Sequence, residues 1–214
     1  MAGRSGDSEL RARLLASGAR LLAEEGPAAL TTRRVAREAG TSTMGVYTYF
    51  GSIADLVRAV VDDGFAELAV AIATVPPTDD AVAQLYALTL TYIEHARQSP
   101  NRYTVMLSTA ALGPFRPSTV DELRAGRPGV FDVFVDACAD AVRTGRFDGN
   151  DPWVIAHQWW CAVHGYVMLE LAGYIHPSGG VPKVLEPTLE HLLVGLGDTR
   201  ARAAASMAQA RATA

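Results

Sequence analysis

Three arginines and a run of hydroxyl-bearing side chains lie close together in the segment TTRRVAREAGTSTMGVYTYF, residues 31–50. Arginine can bind phosphate oxygens, and hydroxyl and methyl groups can contact the edges of DNA bases. A solvated helix face is the alternative interpretation of the arginines, and core packing is the alternative for Tyr47. The predicted DNA contacts are Thr31, Thr32, Arg33, Arg34, Arg37, Ser42, Thr43, Met44, Gly45, Tyr47, Thr48 and Tyr49.

The spacing within this segment fits two short helices joined by a tight turn, the arrangement called a helix-turn-helix. Counting Thr32 as position one, the fifth residue must be small because the helices nearly touch there, and it is Ala36. The ninth lies in the turn and favours positive φ, and it is Gly40. Buried apolar residues are expected at the fourth and fifteenth positions, which are Val35 and Val46. We therefore predict a helix-turn-helix with one free face.

Two such short helices need capped ends and larger neighbours to pack against. The side chain of Thr31 or Thr32 is expected to cap the first helix, and that of Ser42 the second. Apolar residues within 10–22 fall on one face of a leading helix, and residues 52–75 form a long amphipathic run. Both are predicted to pack against the pair and stabilise it.

Helical periodicity continues through most of the chain, and strand signals are almost absent. We predict an all-α protein of about nine helices. A DNA-binding helix-turn-helix domain is expected at residues 8–51, and a helical effector-binding and dimerisation domain at residues 52–197. Residues 198–214 form an alanine-rich tail without an apolar stripe, which predicts a frayed helix or disorder.

The composition limits the possible partners and compartments. The chain is 49% hydrophobic and carries a net charge of −4, so it is not a uniformly basic nucleic-acid-binding protein. Residues 1–51 hold seven arginines and five acids (+2), whereas the remainder holds twelve basic and eighteen acidic residues (−6). Two cysteines fit a reducing compartment. Without an apolar leader or a run of about 18 apolar residues, no membrane contact and a cytoplasmic location are predicted.

With these features, TTRRVAREAG followed by TSTMGVYTYFGS resembles the TetR family of one-component transcriptional regulators over about residues 10–65. The family commonly has a histidine where this chain has Tyr49, and a phosphate-binding lysine where it has Ile53. The stretch WWCAVHGYVMLEL, residues 159–171, resembles the WHG type of TetR C-terminal domain.

The resemblance implies a regulator, a repressor in the family's commoner mode, that binds a palindromic DNA operator as a homodimer and uses no cofactor. A small-molecule effector, apolar or aromatic, would shift the population towards a state that does not bind DNA. Core packing is the alternative role for each residue of the expected effector pocket, Tyr86, Tyr103, Met106, Phe115, Phe134, Trp160 and His164. The expected dimer interface comprises Gly165, Leu169, Leu189, Leu192, Leu193 and Leu196.

Three other classes of function are alternatives to this one. His157, Cys161 and His164 follow the i, i+4, i+7 spacing of one helix face, so a metal-binding helical sensor or enzyme is the main alternative. No sequence motif for an enzyme is present, such as GxSxG, HExxH or a phosphate-binding glycine loop, and no metal or catalytic residue is predicted. A helical partner protein that does not bind DNA is the third alternative.

Overall fold

The computed structural model describes residues 2–107, 112–115, 129–149 and 151–213, with side chains from Gly6 onward. No residue in those ranges lies in a β-strand, which confirms the all-α prediction. Ten helices of the described residues are numbered here, beside the approximately nine predicted: α1 Ala2–Glu25, α2 Thr32–Glu38, α3 Thr43–Phe50, α4 Ile53–Ala73, α5 Ala81–Gln98, α6 Pro100–Leu107, α7 Asp132–Arg143, α8 Pro152–Leu171, α9 Glu186–Gly195 and α10 Arg200–Thr213.

Shorter helical segments accompany these ten. A 3₁₀ turn at Pro27–Ala29 separates α1 from α2, and another lies at Gly113–Phe115. A turn of α-helix at Pro177–Gly180 and a π-helical turn at Val181–Leu185 lead directly into α9. No helix among the described residues is both long and apolar enough to cross a lipid bilayer.

The chain divides into two compact units. The first comprises the described residues of Met1–Glu67 and Ser99–Arg127, and the second those of Leu68–Gln98 and Pro128–Ala214. The helix-turn-helix segment lies in the first unit together with α1, α6 and the first part of α4.

The core of the first unit forms where α1 packs against α2 and α6. Leu14, Leu15 and Leu22 are almost completely buried, as the predicted apolar face of α1 requires. Gly18 of the same helix lies so close to Leu56 that a Cβ atom there would be 3.1 Å from a leucine methyl carbon. The pair of short helices is therefore held by apolar contacts with longer neighbours.

The second unit is built around α5, which packs against α7, α8 and α10. Of the two alternatives predicted for residues 198–214, disorder is wrong for Arg200–Thr213, which form the helix α10. Small side chains, including Ala203 and Ala210, are buried on the face towards α5. Because alanine allows helices to approach closely, this face packs without the large apolar stripe that sequence patterns detect.

A buried polar network fixes the start of α10. The guanidinium of Arg146 donates to both carboxylate oxygens of Asp198, at 2.6–3.2 Å, and to Asp80 and Ser206 at 3.0 Å. Asp80 also accepts hydrogen bonds from two backbone amides of the first turn of α5. The side chain of Asp198 is fully buried, so its charge is balanced by Arg146 and not by solvent.

Candidate functional site

The turn between α2 and α3 has the predicted geometry. Val35 and Val46 are fully buried, and Ala36 is 2% exposed. Gly40 has a φ of +67°, a conformation that side chains with a Cβ adopt only with strain. The amide of Thr41 donates to the carbonyl of Ala36 at 2.9 Å, which closes the turn. The helix-turn-helix prediction is confirmed at all four diagnostic positions.

The two helix starts differ from each other. The Oγ1 atom of Thr31 accepts a hydrogen bond from the amide of Arg34 at 3.2 Å, so the predicted cap of α2 is confirmed. Ser42 lies at the N-cap of α3 with extended backbone, but its hydroxyl makes no capping hydrogen bond, and that part of the prediction is wrong. Since Ser42 is exposed, its hydroxyl faces solvent at the start of α3.

The free face of α3 combines a thioether, a phenol and hydroxyl groups. Met44 is 68% exposed and Tyr47 is 51% exposed, although both are large side chains. Ser42, Thr43 and Thr48 lie on the same exposed surface. The alternative that Tyr47 is a core residue is therefore wrong for this unit. Large exposed side chains on a short helix indicate a binding surface, and this α3 face is defined here as Ser42, Thr43, Met44, Tyr47 and Thr48.

Gly45 is half-buried and lies behind this face. A Cβ atom at Gly45 would lie 2.7 Å from Oγ1 of Thr41. The absence of a side chain therefore lets the turn approach α3 closely. Thr48 donates its hydroxyl to the carbonyl of Met44 at 2.9 Å, so its oxygen still has capacity to accept a hydrogen bond.

The three arginines of α2 divide into two groups. Arg34 forms ion pairs with Glu25 at 2.7 Å and Glu38 at 3.4 Å, so its charge is largely used within the unit. Arg33 and Arg37 are exposed and form no ion pair with any residue that the structure describes. These two guanidinium groups are thus the ones available to an external anion. Thr32, also predicted as a contact, is half-buried at the first position of α2.

Tyr49 does not lie on the free face, contrary to the sequence prediction. Its hydroxyl donates to Oδ1 of Asp7 at 2.7 Å, and this hydrogen bond raises the pKa of Tyr49. The ring packs partly against the core of the first unit. Ile53, where the resembled family commonly has lysine, is also half-buried against that core. Both departures from the family pattern are therefore residues that stabilise the unit.

The seven residues predicted for the effector pocket do not form one cluster within either unit. Tyr103 and Met106 are buried in the first unit, where Phe115 is half-buried. Tyr86 and Phe134 are buried in the second unit, with Trp160 and His164 half-buried there.

Within the second unit, these side chains contact one another and their neighbours in pairs. The indole of Trp160 donates to the hydroxyl of Tyr92 at 3.1 Å, and Tyr92 meets the ring of Phe134 edge to face at 6.3 Å. Tyr86 donates its hydroxyl to Glu186 at 2.5 Å, and burial raises its pKa together with that hydrogen bond. Core packing therefore accounts for the positions of Tyr86 and Phe134.

The histidines His157 and His164 of α8 belong to a row of aromatic rings that contact one another in tilted and edge-on arrangements. His157 lies 3.8 Å from the ring of Trp153 and 4.3 Å from that of Phe131, measured between centroids. His164 lies 5.3 Å from Trp160, and burial lowers its pKa. In the parts of the chain that the structure describes, no three His, Cys, Asp or Glu side chains are grouped to hold a metal ion. The described residues therefore give the metal-binding alternative no support.

The residues predicted for a dimer interface also divide. Leu189 and Leu193 are fully buried within the second unit, and Leu196 is 6% exposed, so these three leucines pack inside one protomer. Leu192 is half-buried. By contrast, Leu169 is 48% exposed and Gly165 has open space in front of the position of a Cβ atom.

Sequence reasoning missed most of an exposed stripe on α8. This stripe is defined here as the exposed residues Val154, Gln158, Cys161 and Leu169 together with the half-buried Gly165 between them. Their spacing of i, i+4, i+7, i+11 and i+15 was available in the sequence as a helical pattern. It was hidden because α8 is apolar on most of its circumference, so the exposed and buried faces look alike.

Two family models match the chain. Residues 14–60 match "Bacterial regulatory proteins, tetR family", and residues 85–196 match "Tetracyclin repressor-like, C-terminal domain". An uncharacterised helix-turn-helix transcriptional regulator of Mycobacterium tuberculosis, Rv0681, is 28% identical over 155 residues, which cover 71% of this chain. The match spans 66% of that relative, slightly less than two thirds of its length.

Solved structures share the fold. The TetR family protein CprB from S. coelicolor A3(2) has a TM-score of 0.70 at 18% identity, covering 95% of this chain and 97% of that one. A gamma-butyrolactone receptor described as ArpA-like has a TM-score of 0.69 at 21% identity, covering 97% of each chain.

Proposed function

Because this chain belongs to the TetR family of bacterial transcriptional regulators, we propose that it binds a palindromic DNA operator as a homodimer and is released by a small-molecule effector. The main support for this proposal is the α3 face, where Met44 and Tyr47 are exposed on a helix whose opposite side is fully buried at Val46. This is a regulatory activity, and no enzyme activity is proposed. The proposed location of this regulator is the cytoplasm, which contains the bacterial DNA.

On this proposal, α3 enters the major groove of DNA. Met44 and the methyl group of Thr43 would contact thymine methyl groups, while the hydroxyl groups of Ser42 and Tyr47 would reach phosphates or base edges. Arg33 and Arg37 would bind phosphate oxygens, because neither has an ion-pair partner among the described residues. Arg34 and Tyr49 contribute indirectly by fixing α2 and α3 to α1.

The exposed stripe of α8 supports the homodimer. Gly165 allows another helix to approach closely, and Val154 and Leu169 offer apolar area. A shallow cleft of about 530 Å³ between α8 and α9 continues this surface and is lined by Gln158 and Leu192. A two-fold axis at this stripe would pair the surface with itself, as a symmetric dimer requires.

A dimer permits the recognition helices to bind successive major grooves, which requires a separation of about 34–36 Å. An effector that prefers another arrangement would remove that match and release the DNA. A structural neighbour is described as a gamma-butyrolactone receptor, which supports a small-molecule effector for this chain. Repression is proposed as the mode, because release by an effector then turns expression on.

A gel shift with the purified protein tests DNA binding. The probe is a few hundred base pairs of DNA flanking the gene for this protein, with excess nonspecific competitor at two salt concentrations. A discrete complex that survives competitor and weakens with salt is expected. If the gel shift shows no complex, and genome-wide selection of bound fragments returns no enriched site either, the proposal is wrong.

The two cysteines allow a separate test of the dimer. Cys161 is exposed on the stripe of α8, whereas Cys138 is buried, with its pKa raised to about 12 by burial. Maleimide labelling of Cys161 should slow as the protein concentration rises through the dimer dissociation constant, while Cys138 stays unlabelled throughout. The substitution Gly165→Leu should shift sedimentation towards monomer. Labelling of Cys161 that is independent of protein concentration would place the interface elsewhere.

A further inference from the structure

A cleft of about 830 Å³ lies in the second unit. Its walls are the last turn of α4 with the segment that follows it, one face of α5, and the last turns of α10. None of the seven predicted pocket residues lines it. The family matches cover residues 14–60 and 85–196, so two of its three walls lie outside them.

The wall formed by α10 is held at both ends. The Arg146 network fixes its start, and Arg211 near its end pairs with Glu186, which also accepts the hydrogen bond of Tyr86. Along the rim, the amide of Gln209 donates to Thr78 at 3.1 Å and joins α10 to the segment after α4. The cleft is therefore a preformed feature of the unit, with a volume in the range of small-molecule sites.

The size of the cleft comes from small side chains. Ala83 and Ala87 on α5, Ala71 on α4 and Ala210 on α10 leave space between the three walls. Hydroxyl and amide groups lie among them, on Thr74, Thr91, Gln98, Gln209 and Thr213. Among the described lining residues there is no phenyl, phenol or indole ring on which an aromatic ligand would stack.

The charges at the cleft disfavour an anion. Three ionisable residues line it, Glu94, His95 and Arg97. The guanidinium of Arg97 donates two hydrogen bonds of 2.8 Å to the buried carboxylate of Glu170, which balances its charge. The carboxylate of Glu94 remains as an additional negative charge beside Arg97. A carboxylate or phosphate group on a ligand would therefore meet repulsion from Glu94, while the one guanidinium among the described lining residues is already paired.

We propose that this α5–α10 cleft binds an uncharged, mainly aliphatic molecule that carries hydroxyl or carbonyl groups. Its alanines supply apolar contact, and its threonine and glutamine side chains supply donors and acceptors. The ligand touches Ala71 and Thr74, at the end of the helix that begins directly after the α3 face. A regulatory effect of the ligand on DNA binding rests on the proposed function. Binding of the ligand to the cleft does not.

Three molecules with one bicyclic skeleton test the proposal: borneol with a hydroxyl, camphor with a carbonyl, and camphor-10-sulfonate with an added anion. Each is titrated into the full-length ¹⁵N-labelled protein without DNA, and the amide resonances are followed by NMR. Borneol and camphor are expected to give saturable shifts at Ala87, Thr91 and Ala210. The sulfonate is expected to bind about tenfold more weakly or not at all.

Two variants narrow the cleft from opposite walls. Ala87→Phe and Thr213→Phe should each weaken borneol binding by about tenfold or more, because the added rings occupy the space. Ala87 is half-exposed and Thr213 exposed, and melting temperatures confirm that each variant is folded. Ala139→Phe, at a half-exposed site on α7 that does not line the cleft, is the matched control and should bind normally.

Three results would overturn the proposal: no saturable shift with either neutral molecule, shifts confined to the region of Trp160 and Phe134, or equal binding of the sulfonate. The gel shift with flanking DNA is scored separately. A protein that binds DNA but none of the probes refutes the cleft alone, and one that binds borneol but no DNA refutes the proposed function alone.

Discussion

Arg37 and Arg146 are the same residue type in two different situations. Arg37 is exposed on α2 without an ion-pair partner among the described residues, whereas Arg146 is 7% exposed and bonded to two carboxylates and a hydroxyl. The first unit thus keeps part of its positive charge at the surface, while the second uses its charge to join helices. Burial and partners, and not residue type, therefore separate an arginine that is available to an external anion from a structural one.

Removal of the structural arginine should cause the greatest loss. Arg146→Ala leaves the fully buried carboxylate of Asp198 without its main partner. Breaking such a pair should lower the free energy of unfolding by about 3–5 kcal/mol. Arg143→Ala removes an exposed pair with Asp140 and should cost less than about 1 kcal/mol. Urea denaturation of both variants measures the difference, and equal losses would contradict the role of Arg146 in fixing α10.

Substitution of Gly40 tests how strongly the stability of the first unit depends on the backbone conformation of its turn, as that of the second depends on the Arg146 network. Gly40→Val should destabilise the unit by about 1–3 kcal/mol, because φ is +67° there. No heavy atom lies within 4 Å of the added Cβ, so the loss is backbone strain and not a clash. Gly40→Asn is the matched variant and should lose less, since asparagine tolerates this conformation. Thermal melting by circular dichroism compares them, and identical melting temperatures would refute the turn geometry.

The contrast between free and paired arginines can be sharpened within α2. Arg37→Ala should reduce the slope of log affinity against log salt by about one for each phosphate that is no longer neutralised, hence by about two per dimer. Arg34→Ala should instead lower the melting temperature, because Glu25 and Glu38 lose their partner. Fluorescence anisotropy with operator DNA at several salt concentrations measures the slope of log affinity against log salt for each of the two variants. An unchanged slope for Arg37→Ala would place that residue outside the interface.

A much smaller effect is expected at Tyr49. Tyr49→Phe removes the hydrogen bond to Asp7 and keeps the ring, so the melting temperature should fall only slightly, because this bond is exposed to solvent. Operator affinity, measured by the same anisotropy titration, should stay within about twofold of the wild type, because the hydroxyl faces α1 and not the free face. A large loss of affinity at unchanged stability would return Tyr49 to the DNA interface.

Local patterns predicted the parts of the fold that depend on local contacts. The positions of Gly40, Ala36 and the Thr31 cap follow from the spacing of a short turn, and all three are observed. The packing of α10 depends on Arg146, which lies 52 residues before Asp198, and no periodicity reveals such a partner.

The same limit applies to the candidate sites. Tyr49 pairs with Asp7 across 42 residues, so its removal from the free face was not visible in the sequence. Leu189 and Leu193 have the residue type of an interface but are used inside the protomer. The cleft beside α10 was missed because alanines and threonines mark no pocket in a sequence.

The decisive measurement for operator binding by the α3 face is the affinity of Tyr47→Ala, determined by fluorescence anisotropy on the fragment that the gel shift identifies. Tyr47 is 51% exposed on this face, so its truncation should leave helix content, melting temperature and dimerisation intact. Operator affinity should fall more than about tenfold, or about 1.4 kcal/mol. Unchanged affinity with an intact fold would show that the α3 face does not bind the operator, and would contradict the proposed function.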